Sequence, residues 1–244
     1  MAAMGKREQP APDDGPPVIS VRDDNLDEHL AEVLERLEVD CVIDVGANYG
    51  QYRGLLRRLG FGGRIVSFEP VLKCFEHCAA LAAGDESWHV HRLALGPRRG
   101  TKTIRVTSSE DFSSFLRPNA YSRRVFDDLY VAHEERVPVA TLDALWPDLV
   151  GDGHRVFLKT DTQGWDIQVL KGARRRLREV RGIQCEVAVQ RIYAGMPGYH
   201  RSLAYLEWRG FRLTGLYPVW RDPQLRIGEL DCVVVRPELM GGAA

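Results

Sequence analysis

Acidic residues and glycines recur at the ends of short apolar runs in this chain. Cys41-Val42-Ile43 leads into Asp44-Val45-Gly46-Ala47-Asn48-Tyr49-Gly50. Gly46 and Gly50 let the backbone turn tightly and approach a ligand closely, and Asp44 is expected to accept a hydrogen bond from an ammonium group. Glu69-Pro70 follows the run Arg64 to Phe68, where a carboxylate can accept both hydrogen bonds of a ribose diol. Ala94-Leu95-Gly96 offers backbone groups to an adenine edge.

A dinucleotide site needs glycine-x-glycine in its first turn, because a pyrophosphate must sit on the helix N-terminus. Here Ala47-Asn48-Tyr49 fills the space between Gly46 and Gly50, and there is no glycine-lysine-serine/threonine phosphate loop. A ligand with ammonium, ribose and adenine but no phosphate fits better, and S-adenosylmethionine (SAM) has all three.

Two further carboxylates stand at strand-like ends. Asp161 follows Val156 to Lys159, and Glu186 lies in Cys185-Glu186-Val187. A hydroxyl is a poor nucleophile until its proton leaves, so Asp161 is the first candidate for a base. The plain structural alternative is a carboxylate that caps the next helix. Glu186 needs a partner in so apolar a run: Lys159, a substrate hydroxyl, or a divalent ion such as Mg²⁺ shared with Asp161. His133 and His200 are alternative bases, each in a stretch that breaks the regular pattern. Cys74, His77 and Cys78 lack the second ligand pair of a zinc site.

The elements that must position these residues alternate. Helical spacing of Leu26, Leu30, Val33, Leu34 and Leu37, with Asn25 as cap, precedes the first strand. Helices are expected at Leu55 to Leu59, Leu72 to Ala83, Trp165 to Arg178 and Leu203 to Trp208. Strands are expected at Trp88 to Leu95, Lys102 to Thr107, Ile183 to Val189, Phe211 to Leu216 and Cys232 to Val235. This order implies an α/β three-layer sandwich, Rossmann-like, with a mainly parallel seven-stranded sheet and an antiparallel C-terminal strand. Residues 1–20, rich in proline and polar residues, read as a flexible tail, and 21–239 as one domain. Lid-like insertions are expected at 108–136 and 190–228. In the second, Tyr193, Met196, Tyr199, Tyr217 and Trp220 suit an apolar acceptor wall or a subunit interface of a homo-oligomer. A net charge of -1 gives no overall field for nucleic acid. No apolar run reaches membrane-spanning length, and five cysteines without a disulfide framework point to the cytoplasm.

The run Val42 to Tyr52 resembles the first motif of the FkbM-type methyltransferases, and Val66-Ser67-Phe68-Glu69-Pro70 their second. Thr141-Leu142-Asp143, Leu158 to Gly164 and Val169-Leu170-Lys171-Gly172-Ala173 resemble their later block. One departure is Gln163, where the family usually carries glutamate. The resemblance implies a class I SAM methyltransferase fold and O-methylation of a hydroxyl on a sugar, glycolipid or polyketide-type metabolite. It adds Tyr49, Tyr52, Asp111 and Ser113 to the cofactor and acceptor contacts, and places Asp161 beside the cofactor as well. Transfer to nitrogen and a non-catalytic SAM-binding module are the competing readings.

Overall fold

The computed structural model describes residues 19–20, 24–126, 129–151 and 153–240. The chain runs through β1 (Ile19–Ser20), α1 (Asp24–Arg36), β2 (Cys41–Val45), α2 (Gln51–Arg58), β3 (Arg64–Phe68), α3 (Leu72–Ala82) and β4 (Trp88–His91). It continues through β5 (Ala94–Leu95), β6 (Gly100–Thr107), α4 (Ser122–Val125), β7 (Val131–Ala140), α5 (Leu142–Leu149), β8 (Val156–Thr160) and α6 (Asp166–Gly172). The last elements are β9 (Val180–Ala188), α7 (Tyr199–Trp208), β10 (Arg212–Arg221) and β11 (Ile227–Val235).

The main sheet has the order β1-β10-β11-β9-β8-β2-β3-β4. Apart from the two-residue β1 it has seven strands, as expected. β4, β3, β2, β8 and β9 are mutually parallel, and β11 runs antiparallel between β9 and β10. Helices cover both faces, so β2 and β8 are buried along their whole length. Burying each Val, Phe or Leu of Val156-Phe157-Leu158 contributes roughly 1.5–3 kcal/mol. Strand order reverses between β2 and β8, and the crevice beyond their carboxyl ends is where such sheets bind ligands.

Register aligns polar residues across this point. Asp44 pairs with Ser67 on one side and Lys159 on the other, and Lys159 pairs with Gln184. One buried row of polar side chains therefore underlies the crevice.

Several boundaries differ from expectation. Trp88 to Leu95 is two strands: the chain turns at Arg92-Leu93, and β5 joins β7 and β6 in a second, three-stranded sheet. β7 occupies the end of the first expected insertion, its charged residues His133 to Arg136 masking a strand that buries Val137 and Val139. The second expected insertion contains α7 and β10, so much of it is regular structure. The α1 helix begins at Asp24, which places Asn25 inside the first turn. The expected tail lies outside the described residues except for Ile19–Ser20, which pair with Arg221 and Trp220. No described helix is long and apolar enough to cross a membrane.

Candidate active site

The turn after β2 and the turn after β8 meet face to face. Gly46 has φ of 84°, and a Cβ there would stand 1.9 Å from the Asp161 carbonyl oxygen. Only glycine permits this approach. Asn48 (φ 48°) and Gln163 (φ 51°) also adopt the left-handed conformation, which costs of order 1–3 kcal/mol and gathers at functional sites. A cleft of about 950 Å³ opens over both turns and extends along β10 and β11.

Asp44 lies beneath this cleft and does not line it. It is fully buried, with Lys159 Nζ at 3.1 Å and the Ser67 hydroxyl donating at 3.0 Å. The ammonium beside Asp44 is thus the chain's own, where the sequence alone suggested a cofactor's. Lys159 also donates to the Gly46 carbonyl at 2.9 Å. Burial works to lower the Lys159 pKa, but Asp44 and Asp161 outweigh it and hold it raised. The Tyr52 ring lies 5.3 Å from Lys159 Nζ, and its hydroxyl donates to Gln184 at 2.9 Å.

Glu69 borders the cleft as expected. Its two oxygens accept the Asn48 and Val71 N–H groups, each at 2.8 Å. Burial pushes its pKa up to about 7 against the pull of those two N–H groups. Gly46, Ala47, Asn48, Tyr52, Pro70, Ala94, Leu95, Asp111 and Ser113 line the cleft with it. Tyr49 and Gly50 do not. Tyr49 packs on His77, and Gly50 supports the turn against Trp88. The Asn48 side chain donates to Asp111. Cys74 donates to the Asn48 side chain at 3.3 Å and Cys78 to its carbonyl at 3.0 Å. Burial pushes both thiols up to about 12, so they clamp this turn as thiols. Among the described residues no group of three or more His, Cys, Asp or Glu is placed to hold a metal ion.

The second half of the cleft is acidic. Asp161, its side chain 42% exposed, accepts from the Gln163 amide at 3.1 Å, and the same amide donates to Glu186 at 3.2 Å. Glu229 and Asp231 on β11 line the same wall. Burial, then the neighbouring Glu229, Asp161 and Asp231, raise the Glu186 pKa well above the usual carboxylate range. Burial likewise pushes Glu229 up to about 8 and Asp231 up to about 6. Sequence reading singles out Gln163 only as a departure from the family, and it leaves Glu229 and Asp231 outside the site because the last strand is expected to begin at Cys232. Glu229-Leu230-Asp231 alternates with period two, and that was the available signal.

The alternative bases lie elsewhere. His200 is exposed at the start of α7 beside a separate depression with Arg191 and Arg201. His133 is exposed on β7, 3.2 Å from Glu135. Of the expected aromatic wall, Tyr217 and Trp220 face the cleft. Tyr193 and Met196 are buried in a cluster where Phe112 and Phe126 from the first irregular stretch pack against Trp220 from the second. Tyr199 packs against the main core.

The sequence profile of the Methyltransferase FkbM domain matches residues 44–213. The chain belongs to the FkbM methyltransferase family. No curated protein sequence matches it. Among solved structures, a methyltransferase FkbM from Methylobacillus flagellatus KT is 15% identical, with a TM-score of 0.49. That match covers 80% of this chain and 43% of the other, so the chain spans less than half the length of that relative. Cofactor-bound Rv0187 from MTB is 14% identical, covering 88% of this chain and 81% of that one at a TM-score of 0.49. Aeropyrum pernix fibrillarin with bound SAM is 11% identical, covering 80% and 66% at 0.45. In this member of the FkbM family, Glu69 offers acceptor oxygens at the edge of the cleft and the Gly46 turn offers a close backbone approach, chemistry that suits SAM.

Proposed function

We propose that this methyltransferase uses SAM to methylate a hydroxyl of a small sugar, glycolipid or polyketide-type acceptor. SAM supplies an electrophilic methyl group for in-line displacement. Glu69 accepts the ribose diol, Ala94 and Leu95 face the adenine, and Gly46 to Asn48 cradle the remainder. The observation that carries the reading is Asp161: a carboxylate open to the cleft, beside Gly46, oriented by Gln163. It takes the hydroxyl proton, with Glu186 held on the same amide. The acidic wall disfavours a polyanion such as RNA, whose affinity rests on phosphate neutralisation by cations.

The test is turnover with SAM and a panel of hydroxylated acceptors, followed by mass spectrometry. Asp161→Asn is expected to lower kcat roughly 10²–10⁴-fold while leaving KM for SAM nearly unchanged. A small loss in kcat would favour transfer to nitrogen, and no methylated product from any acceptor would favour a non-catalytic binding module.

A further inference from the structure

Among the described residues, the wall beyond Asp161 holds more carboxylates than the cleft has cations to balance them. In the antiparallel register of β9 and β11, Asp231 stands opposite Glu186 and Glu229 opposite Ala188. With Asp161 they make four carboxylates on one wall. Lys159 and Arg58 also line the cleft. Lys159 is committed to Asp44 and the Gly46 carbonyl, and Arg58 is exposed on α2. Glu186 receives the Gln163 amide, Asp231 the Gln184 amide at 3.2 Å, and Glu229 Oε2 the Trp220 indole N–H at 2.8 Å. Glu229 Oε1 has no partner among the described residues, although the residue is only 2% exposed. A buried carboxylate oxygen left unpaired in a cleft calls for a donor from outside the chain. Phe126 and Trp220, edge to face at 5.1 Å, line the same space and offer ring surface to a cation.

We infer that this half-site binds an acceptor carrying a protonated amine, such as an amino sugar or aminocyclitol, whose ammonium group donates to Glu229 and Asp231 while a neighbouring hydroxyl meets Asp161. The inference rests on the methyl-transfer reading of the cleft. An arriving ammonium ion favours the ionised carboxylates, so binding near neutral pH releases a proton chiefly from Glu229, which burial keeps protonated there.

The experiment is calorimetric titration of the full chain saturated with S-adenosylhomocysteine (SAH). The probes are glucosamine and 2-deoxystreptamine, each compared with its N-acetylated form, which keeps the hydroxyls and loses the charge. The free amines should bind at least roughly tenfold tighter, with buffer-dependent heats that report proton release. Glu229→Gln combined with Asp231→Asn should abolish that preference and leave SAH affinity within about threefold. If the pair fails to fold, Glu229→Gln alone carries the comparison, since its amide oxygen can still accept from Trp220. Equal affinity for amine and N-acetyl forms, a preference that survives the substitutions, or no amine binding to SAH-loaded protein would each overturn the inference. Failure of the wild type to bind SAH would instead strike the cofactor reading and the inference with it, so the two failures are distinguishable.

Discussion

The side-chain amide of Gln163 donates to the Asp161 carboxylate at 3.1 Å, and through the same nitrogen it reaches Glu186 at 3.2 Å. Its oxygen lies 3.0 Å from the Tyr193 hydroxyl. A neutral donor thus separates two carboxylates that face Glu229, Asp231 and Asp166 as well, with Lys159 Nζ 3.8 Å from Asp161 as the nearby cation. Gln163→Glu removes the donor and adds a like charge. It should cost roughly 2 kcal/mol where the group is ionised, a fall of about 4–8 °C in Tm. Thermal unfolding near pH 8 should show the full loss, and near pH 5.5 a smaller one. An unchanged Tm at both pH values would show that the Gln163 bridge is not needed to keep these carboxylates apart.

Asp44 acts on the fold through Lys159. Removing the carboxylate in Asp44→Ala takes the nearest counter-charge from a buried ammonium, leaving it the Gly46 carbonyl and Asp161 at 3.8 Å, a loss of up to about 3–5 kcal/mol and on the order of 10 °C in Tm. Asp44→Asn keeps a hydrogen-bond acceptor and should cost less. Because Asp44 does not reach the cleft, SAH affinity of folded Asp44→Asn should stay within about tenfold of wild type. Loss of SAH binding at an unaltered Tm would return Asp44 to direct cofactor contact.

The sheet was legible because its central strands are unbroken apolar runs with punctuation at each end, as in Cys41 to Gly46 and Val156 to Asp161. The turns that border the cleft follow from the same ends, since a strand's last residue fixes where the turn begins. What stayed hidden depends on pairing across distant segments. Asp44 reads as an unpaired acceptor until the register sets Lys159 beside it. Gln163 reads as a lost charge until Asp161 and Glu186 are seen on either side of it. Glu229 and Asp231 read as a loop until β11 is extended to Ile227. His200 lies in a stretch that reads as irregular, and the start of α7 places it beside a separate depression, outside the main cleft.

Stability should fall as pH rises toward 8. Glu69, Glu229 and Asp231 have folded-state pKa values of about 7, 8 and 6, against ordinary values of 4.5, 4.5 and 3.8. Burial is the first cause for each. The charged groups facing them are Asp44 and Lys159 for Glu69, Asp161, Asp166, Asp231 and Glu186 for Glu229, and Asp161, Lys159 and the opposing Glu186 for Asp231. Between the two sets of values the folded chain binds more protons than the unfolded chain, so stability is lost across that window as pH rises. Asp222 runs the other way: burial opposes it, but hydrogen bonds from Arg226 and Tyr121 pull it down to about 2, so its effect lies at lower pH. Urea unfolding should give a lower midpoint near pH 8 than near pH 5.5. Glu229→Gln with Asp231→Asn should raise the midpoint more at the higher pH. Equal wild-type midpoints at both would contradict the raised values.

Glu69 gives the cofactor half a pH signature of its own. Each of its oxygens already accepts one backbone N–H, and each keeps a further acceptor site when the group is ionised. A ribose diol donates two hydrogen bonds and therefore needs the ionised form. With a pKa of about 7 set by burial and Asp44 against the two N–H groups and Lys159, that form is scarce below neutrality. SAH affinity should rise with pH through the neutral range, by up to roughly tenfold per unit below the pKa, and then level off. Glu69→Gln replaces one acceptor oxygen by a donor and removes the charge. It should weaken SAH binding by about 1.5–3 kcal/mol and flatten the profile. Calorimetric titration at several pH values measures both. A flat wild-type profile together with full affinity in Glu69→Gln would leave Glu69 as a structural acceptor for the Asn48 and Val71 amides alone.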